Sequence, residues 1–321
     1  MNFTITNKKD YISHCDVSKY LKIGINKMRK TLFGKEIVLS TDPWLWHFHI
    51  KCCNRCNANC DFCIEKNCRP EEHPEIVVQN AEMMLSEMEK QGILHSVSVT
   101  GGEPLLFPEI LGLFDVLRKH KIKFLTMNTN GGFIYVKKFV PSIDGLFDFL
   151  NVSRHSTDDM ENFKIFHTYS VLKLEELQCF HEFYHKTKLR IQCVMQCGMT
   201  ISDFDKMIET YRFADNVSFR RLMSTAEEQG LIYDRHDDDY FRIIDHVSQN
   251  GEFIEQTVQD YYVYEIWNYH GVNVTFSYSD MKSLLELEKT EPDEIVREFI
   301  LHPNGNVCGS WNPERKVILR G

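Results

Sequence analysis

Three cysteines lie close together in one short stretch of the chain, at a spacing that suits metal binding. Cys56, Cys60 and Cys63 stand as C-x3-C-x2-C within "CNANCDFC". Thiolate sulfur binds zinc and the irons of iron–sulfur clusters, so this stretch predicts a metal centre. The chain has 11 cysteines but neither an N-terminal secretion signal nor an apolar run of membrane-spanning length. We therefore expect a cytoplasmic protein without membrane contact, in which clustered cysteines bind metal and do not form disulfides.

The cysteine spacing leaves two kinds of metal centre open. A structural zinc site needs four ligands, and Cys52, Cys53 or Cys68 would have to supply the fourth. Three thiolates on one loop can instead hold three irons of a cubane and leave the fourth iron open to an outside ligand. Zinc favours an α/β binding module, whereas a cluster favours an electron-transfer protein or an enzyme.

The elements that position the cysteines alternate between strand and helix. "LWHFHIKC" alternates like a strand and leads directly into the cysteine loop. Further strands are predicted at 94–100, 122–128, 147–153, 188–196 and 216–222, and helices at 74–91, 108–120, 134–140, 171–186 and 202–213. This alternation predicts an α/β fold with a parallel sheet, either open or part of a barrel. Its site should lie at the carboxyl ends of the strands.

Two extensions flank this predicted core of residues 45–229. The N-terminal extension, 1–44, contains an amphipathic pattern at 17–32 that predicts a helix. The C-terminal segment, 230–321, should cover the substrate side without forming an independent domain. It contains a predicted helix near 239–250, a strand in "VNVTFSY" and a hairpin in "REFILHPNGNVCGSW" that turns at "PNGN".

Two motifs together resemble the radical S-adenosylmethionine (SAM) enzymes. C-x3-C-x-aromatic-C, with Phe62 at the aromatic position, resembles the signature of that family, and "VSVTGGEPLL" resembles its Gly-Gly-Glu-Pro motif. The resemblance implies a partial (β/α)6 TIM-like barrel and a [4Fe-4S] cluster on Cys56, Cys60 and Cys63. It also implies that SAM binds the open iron and is cleaved on reduction to a 5′-deoxyadenosyl radical, which abstracts a substrate hydrogen. A low-potential donor such as flavodoxin or ferredoxin would supply the electron.

The same resemblance implies contacts to SAM at the strand ends. Gly101 and Gly102 would let the backbone approach the cofactor, and Glu103 would pair with the methionine ammonium. In "NVSRHS", His155 stands where the family often has aspartate, and Arg154 is expected to meet a carboxylate instead. The other expected cofactor contacts are Phe62, Asn130, Ser153 and Gln196.

The substrate is less constrained by the sequence than the cofactors are. A net charge of −9 without a long basic run makes nucleic acid an improbable partner. The first candidate is a polar metabolite of nucleotide or sugar type, and the second is a ribosomal peptide that is epimerised or crosslinked. Polar-tipped aromatic residues of the C-terminal segment are predicted to line the open mouth of the barrel: His236, Tyr262, Tyr264, Trp267 and Trp311.

Two further residue types carry functional hypotheses. Strand alternation turns either Arg220 or Arg221 inward, where its charge needs an anionic partner on SAM or on the substrate. Cys308 follows the hairpin turn in the segment that should cover the substrate. If the reaction is an epimerisation, its thiol is the expected catalytic hydrogen-atom donor; otherwise it is a buried packing residue.

Overall fold

One large mixed sheet organises the part of the chain that the computed structural model describes. The described residues are 3–16, 26–41, 46–63, 69–135, 139–195, 198–221, 223–224, 232–233, 237–259, 262–279 and 294–321. The strands are β1 (Phe3–Ile5), β2 (Lys27–Leu32), β3 (Lys35–Ser40), β4 (His47–Lys51), β5 (Ser96–Thr100), β6 (Phe124–Thr129), β7 (Phe149–Ser153), β8 (Lys188–Val194), β9 (Asn216–Arg220), β10 (Met223–Ser224), β11 (Ile232–Tyr233), β12 (Glu252–Gln259), β13 (Tyr262–Tyr269), β14 (Val272–Ser279), β15 (Ile295–Val296), β16 (Phe299–Leu301), β17 (Val307–Cys308) and β18 (Val317–Leu319). The α-helices are α1 (Pro74–Lys90), α2 (Ile110–Lys119), α3 (Val140–Ile143), α4 (Asp159–Phe166), α5 (Leu174–Phe183), α6 (Ile201–Thr210) and α7 (Asp237–Asn250).

The six strands from β4 to β9 pair in parallel and in chain order. Helices connect them, so the parallel α/β sheet expected from the alternating pattern is confirmed. One face of these strands is apolar: Phe48, Ile50, Val97 and Val99 are all fully buried. This face packs in the same hydrophobic core as α1 and α2, whose buried residues include Met84. The pairing carries all six strand ends to one edge of the sheet.

Strands from the C-terminal segment extend both edges of this parallel core. β14 pairs in parallel with β9, and β16 pairs in parallel with β4. Antiparallel strands then follow on each side, β13, β12 and β1 beyond β14, and β17 and β18 beyond β16. The hairpin predicted at "PNGN" is confirmed, with Gly305 at φ +83° between β16 and β17. The predicted domain boundaries at 44/45 and 229/230 lie outside the described residues and stay predictions.

The helix predicted over 17–32 is wrong for its second half. Residues 27–32 form β2, which pairs antiparallel with β3 across a turn at Phe33 and Gly34. Both turn residues have positive φ, 49° and 76°, as a two-residue hairpin of this hand requires. Exposed and less exposed side chains alternate along β2, and over so few residues an alternating pattern is easily mistaken for a helical one. Residues 17–25 lie outside the described part of the chain.

Helix boundaries also differ from the expectation after β6 and β7. The helix predicted at 134–140 is a turn followed by the short α3, and residues 136–138 are outside the described part. α4 was not predicted, although Asp158 caps it by accepting a hydrogen bond from the Glu161 amide. No helix among the described residues is long and apolar enough to cross a membrane.

A buried ion pair joins the end of β7 to α4. The Arg154 side chain is fully buried, and its Nη2 donates to Asp159 Oδ1 at 2.6 Å. Its Nε donates to Tyr211 Oη at 2.9 Å and its Nη1 to the Leu172 carbonyl at 2.7 Å. The carboxylate that Arg154 meets is therefore one of the protein's own, so burial of this charge needs no bound ligand.

This ion pair leads to a stability prediction. Asp159→Ala should lower the free energy of unfolding by about 3 kcal/mol, because it leaves the Arg154 charge buried without its partner. Glu161→Ala is the matched control, since it removes an exposed carboxylate that pairs with Lys164 on the same helix. Urea unfolding monitored by circular dichroism measures both variants. Equal losses in the two variants would contradict a special role for the buried pair.

Candidate active site

The cysteine loop lies at the carboxyl edge of the sheet, where it continues the pairing of β4 with β5. The Cys52 amide donates to the Thr100 carbonyl at 3.0 Å, and the Gly102 amide donates to the Cys53 carbonyl at 2.7 Å. The Glu103 amide then donates to the Arg55 carbonyl at 2.7 Å. The backbone of the Gly-Gly-Glu-Pro turn is therefore bonded to the residues that immediately precede Cys56, the first of the three clustered cysteines.

The two glycines of this turn permit that close backbone contact. A Cβ atom on Gly101 would stand 2.6 Å from the Cys53 carbonyl oxygen, and one on Gly102 would stand 2.1 Å from the Arg55 carbonyl oxygen. Gly101 also has φ +138°, which other residues rarely adopt. The glycines were expected to make room for a ligand. In the structure, they make room for the cysteine loop itself.

Glu103 ties this turn to the next strand end. Its side chain is fully buried and accepts three hydrogen bonds, from Thr129 Oγ1 at 2.7 Å, the Asn130 amide at 2.8 Å and the Leu105 amide at 3.1 Å. Burial raises the pKa of the Glu103 carboxyl, and these three bonds oppose the shift. An ionised carboxylate has about four acceptor positions, so one remains for a ligand donor. The predicted contact with the SAM ammonium stays a prediction.

Asn130 connects the end of β6 to the cysteine loop. Its amide nitrogen donates to Asn57 Oδ1 at 2.7 Å and lies 4.0 Å from Cys56 Sγ. Asn57 in turn donates to the Ser170 carbonyl at 2.5 Å. Gly132 allows this packing, because a Cβ there would stand 1.9 Å from the Ser170 carbonyl oxygen. The "NTNGG" stretch thus supports the loop beside the first cysteine.

The far end of the cysteine loop rests on α4 and β7. The Asn59 amide donates to the Phe166 carbonyl at 2.9 Å, and Cys60 packs against a small cluster that includes Phe166. The Phe62 ring meets the His155 ring edge-on at 5.1 Å. His155 Nδ1 accepts the Val194 amide at 3.1 Å, and burial, together with nearby Arg154, lowers the His155 pKa to about 3. His155 is therefore neutral and structural at pH 7.

The three cysteines share one loop at the carboxyl edge of the sheet. Cys56 is exposed and Cys60 and Cys63 are partly exposed, and none of the three forms a disulfide. Within the described ranges, no three Cys, His, Asp or Glu side chains converge as the ligands of one ion do. Three thiols on one loop are the donor set that a cubane with one open iron takes, and the cluster on these cysteines stays a prediction.

Cys52 and Cys53 do not join this group. Both are buried, and their sulfurs donate to the carbonyl oxygens of Thr100 at 3.2 Å and Glu103 at 3.4 Å. Burial raises the pKa of Cys52, which keeps it a protonated thiol. They therefore give no support to a four-cysteine zinc site, and Cys68 lies outside the described residues.

The structure places the remaining predicted residues as follows. Ser153 is partly exposed at the end of β7, at the same edge as the cysteine loop. Gln196 lies outside the described residues. Cys308 is fully buried on β17, where its thiol donates to the Pro313 carbonyl at 3.3 Å and burial raises its pKa to about 12. Its catalytic role stays a prediction, and the structure shows a packed thiol.

The aromatic residues of the C-terminal segment divide between the two faces of β13. Tyr262 and Tyr264 share one face, where their rings stack at 5.0 Å. Trp267 alternates to the other face and is fully buried against Phe253, so its predicted place at the mouth is wrong. Trp311 is 39% exposed, and His236 lies outside the described residues.

Sequence reasoning missed a polar face across the whole parallel core. The side chains of this polar face, in register from strand to strand, are His47, His49, Ser96, Ser98, Thr126, Asn128, Asn151, Arg190, Gln192, Asn216, Ser218 and Arg220. The signal was present in "HFHI", "SVSV" and "NVSFR", where polar residues recur at every second position of an otherwise buried strand. A sheet whose second face is polar leaves room for a polar ligand and not for a second hydrophobic layer.

Hydrogen bonds order one end of this polar face. Glu298 meets His49 Nε2 at 2.9 Å, and His49 Nδ1 meets the Ser98 hydroxyl at 2.9 Å. The same hydroxyl meets His47 Nε2 at 3.0 Å, and His47 Nδ1 meets Ser96 at 2.7 Å. Burial, with a further contribution from His49, lowers the His47 pKa well below its usual value. His47 is therefore a neutral, fixed hydrogen-bonding group.

Comparison with known proteins gives matches at this region. A family model described as the radical SAM superfamily matches residues 50–211. A probable GTP 3′,8-cyclase from Methanococcus maripaludis is 26% identical over 119 residues, which are 37% of this chain and 39% of that protein. The matched stretch therefore spans about two fifths of that relative.

Solved structures resemble the fold over a longer stretch. SuiB of Streptococcus suis, bound to its precursor peptide SuiA, superposes with a TM-score of 0.58 at 17% identity, over 82% of this chain and 59% of that one. The enzyme anSMEcpe, with bound AdoMet and the Cp18Cys peptide, gives a TM-score of 0.50 at 17% identity, over 83% of this chain and 73% of that one. At these identities, the similarity shows a shared α/β fold.

The close backbone contact at Gly102 gives a prediction about the metal centre. Gly102→Ala should reduce iron incorporation to less than half, because the new Cβ collides with the Arg55 carbonyl oxygen and displaces the cysteine loop. Gly112→Ala on α2 is the matched control, since its Cβ would meet only Glu109 at 3.8 Å. Iron and sulfide per chain after anaerobic reconstitution measure the effect. Full incorporation in Gly102→Ala would show that the contact does not shape the loop.

Proposed function

Because the chain belongs to the radical SAM superfamily, we propose that it removes a hydrogen atom from a polar metabolite of nucleotide or sugar type. Enzymes of this superfamily use a [4Fe-4S] cluster and SAM, and when bound here they would supply the 5′-deoxyadenosyl radical that takes the hydrogen. The observation that carries the proposal is the hydrogen bonding of the Gly-Gly-Glu turn to the cysteine loop. The proposed cluster ligands and the proposed contacts to the SAM methionine therefore lie together at the carboxyl edge of the sheet.

Each strand end has a part in this proposal. Cys56, Cys60 and Cys63 hold the cluster, and Gly101 to Glu103 with Asn130 lie beside the methionine portion of SAM. Asn130 and Asn57 hold the cysteine loop in position from the other side. Phe62 lies against the adenine, and Ser153 and Gln196 face the ribose. We assign Arg154 to the support of β7, because its partners belong to the protein.

The barrel interpretation follows the same reasoning. β4 to β9 with their crossover helices form the partial (β/α)6 barrel of the family, and the polar face lines its interior. Parallel pairing in chain order supports this interpretation. A low-potential flavodoxin or ferredoxin supplies the electron in the cytoplasm. A ribosomal peptide is the second candidate substrate, because two structures of similar fold hold peptides.

The first test concerns the three cluster cysteines. Replacing Cys56, Cys60 and Cys63 with alanine should abolish iron binding and the reductive cleavage of SAM, because the irons lose their thiolate ligands. The control replaces Cys15 and Cys179, which are exposed and free. Iron content and 5′-deoxyadenosine formation after reduction with dithionite measure the outcome. A retained cluster in the triple variant, or no SAM cleavage by the wild-type protein, would refute the proposal.

A second test determines whether the Cys308 thiol donates a hydrogen atom in an epimerisation. If Cys308 donates the hydrogen atom, Cys308→Ala should still form 5′-deoxyadenosine and lose the inverted product, since only the quenching step needs the thiol. Cys193→Ala is the control, because it removes an equally buried thiol on β8. Chiral product analysis after turnover measures the effect. Unchanged product from Cys308→Ala would leave this thiol with the packing role that its burial suggests.

A further inference from the structure

Two arginines of the polar face have no carboxylate partner among the residues that the structure describes. Arg190 lies near the start of β8, and Arg220 ends β9 at the same edge as the cysteine loop. The nearby acid Glu298 is engaged with His49 at 2.9 Å and with Trp311 at 2.6 Å. Arg154 shows the contrast, because this chain supplies it with Asp159. A buried guanidinium without such a partner is costly.

The Arg190 guanidinium is held in a fixed orientation. Its Cζ lies 4.1 Å from the Phe149 ring centroid, and its Nε donates to Asn216 Oδ1 at 3.0 Å. The Asn216 amide is itself fixed, since its nitrogen donates to the Asn273 carbonyl and to Thr275 Oγ1. No described residue bonds the two terminal nitrogens of Arg190, which form a fork, the geometry that binds phosphate or carboxylate oxygens.

Arg220 lies beside two tyrosines of β13 on the polar face. Arg220 Nη2 donates a hydrogen bond to Tyr262 Oη at 3.2 Å, and the Tyr262 ring stacks on the Tyr264 ring. Tyr264 keeps 37% of its surface accessible, and yet desolvation by burial raises its pKa. Tyrosine hydroxyls are neutral at pH 7, so they do not compensate the arginine charge.

No salt bridge among the described residues compensates the charges of Arg190 and Arg220. Burial lowers the Arg190 pKa to about 10, and Tyr264 opposes this shift while Arg220 adds to it. Both guanidinium groups nevertheless remain protonated at pH 7. Two like charges on neighbouring strands repel each other, and an anion between them would relieve both the repulsion and the desolvation cost.

We propose that Arg190 and Arg220 bind an anionic group of the substrate, a phosphate or a carboxylate, at the polar face. This inference rests on the proposed function and narrows its substrate class to an anionic metabolite such as a nucleotide or sugar phosphate. Asn216 and Phe149 position Arg190, and Tyr262 positions Arg220. Because Arg220 lies at the edge of the cysteine loop, the rest of the substrate extends from the anion site toward the cofactor.

Inorganic pyrophosphate titrated into the cluster-reconstituted full chain, in the presence of SAM, tests the site. It should raise the melting temperature of the wild-type protein by roughly 3 °C at saturation. Arg190→Gln and Arg220→Gln should each weaken pyrophosphate binding at least about tenfold in calorimetry, since each removes a charge-assisted fork. Arg212→Gln is the control, because Arg212 is exposed and pairs with Glu209 on α6.

The same variants separate binding from a structural role. Without pyrophosphate, both glutamine variants should melt at or above the wild-type temperature, because each removes a charge that no described carboxylate pairs. Lower melting temperatures, with unchanged pyrophosphate affinity in the variants that fold, would make the arginines structural and overturn the inference. If a glutamine variant does not fold, the corresponding lysine variant replaces it, because lysine keeps the charge without the guanidinium fork. The lysine variant should bind pyrophosphate more weakly than the wild type. Equal affinity for pyrophosphate would contradict the proposed site.

Two further outcomes distinguish this inference from the proposed function. Competition between pyrophosphate and SAM would assign the arginines to the SAM carboxylate and overturn the inference. A wild-type protein that cleaves SAM but does not bind pyrophosphate would refute the anion site alone. One that binds pyrophosphate in calorimetry but does not cleave SAM would support the anion site and refute the enzymatic proposal.

Discussion

A buried carboxylate is the constraint on which the candidate site depends. Glu103 accepts hydrogen bonds from two successive strand ends, and its own amide bonds the cysteine loop. Removing the carboxylate would leave the donors of Thr129 and Asn130 without an acceptor inside the protein. The glycines before it then set the distance between the turn and the loop. The cysteine loop, the Gly-Gly-Glu turn and the end of β6 thus form one hydrogen-bonded unit on three adjacent strands.

The two faces of the parallel core differ in their side chains: one face is apolar and the other is polar. The apolar face buries valine, isoleucine and phenylalanine side chains beneath the helices, where packing alone specifies the residues. The polar face carries histidine, serine, asparagine and arginine, many of them bonded to one another across strands. Because each strand alternates between the faces, the polar face can change its side chains without altering the hydrophobic core.

The sequence predicted the parts of this molecule that depend on local patterns. Strand and helix alternation, the "PNGN" turn and the order of motifs at strand ends are all encoded within short windows. Contacts distant in sequence were not predictable in this way. Arg154 finds Asp159 because α4 returns to β7, and Gly102 is needed because Arg55 passes beside it. Cys308 was left open between a catalytic hydrogen-atom donor and a buried packing residue, because the loop that bonds its thiol follows later in the chain. The β2–β3 hairpin was missed because a short alternating strand also fits a helical period.

The edges of the parallel core have a consequence for how the chain folds during synthesis. β4 and β9 are both covered by strands that leave the ribosome later, β16 and β14 respectively. Until those strands emerge, the nascent sheet presents two unpaired edges, which are templates for pairing with other chains. Late strands also raise the mean sequence separation of contacts and so slow folding. The C-terminal segment that pairs with both edges thus also protects the newly made core from aggregation.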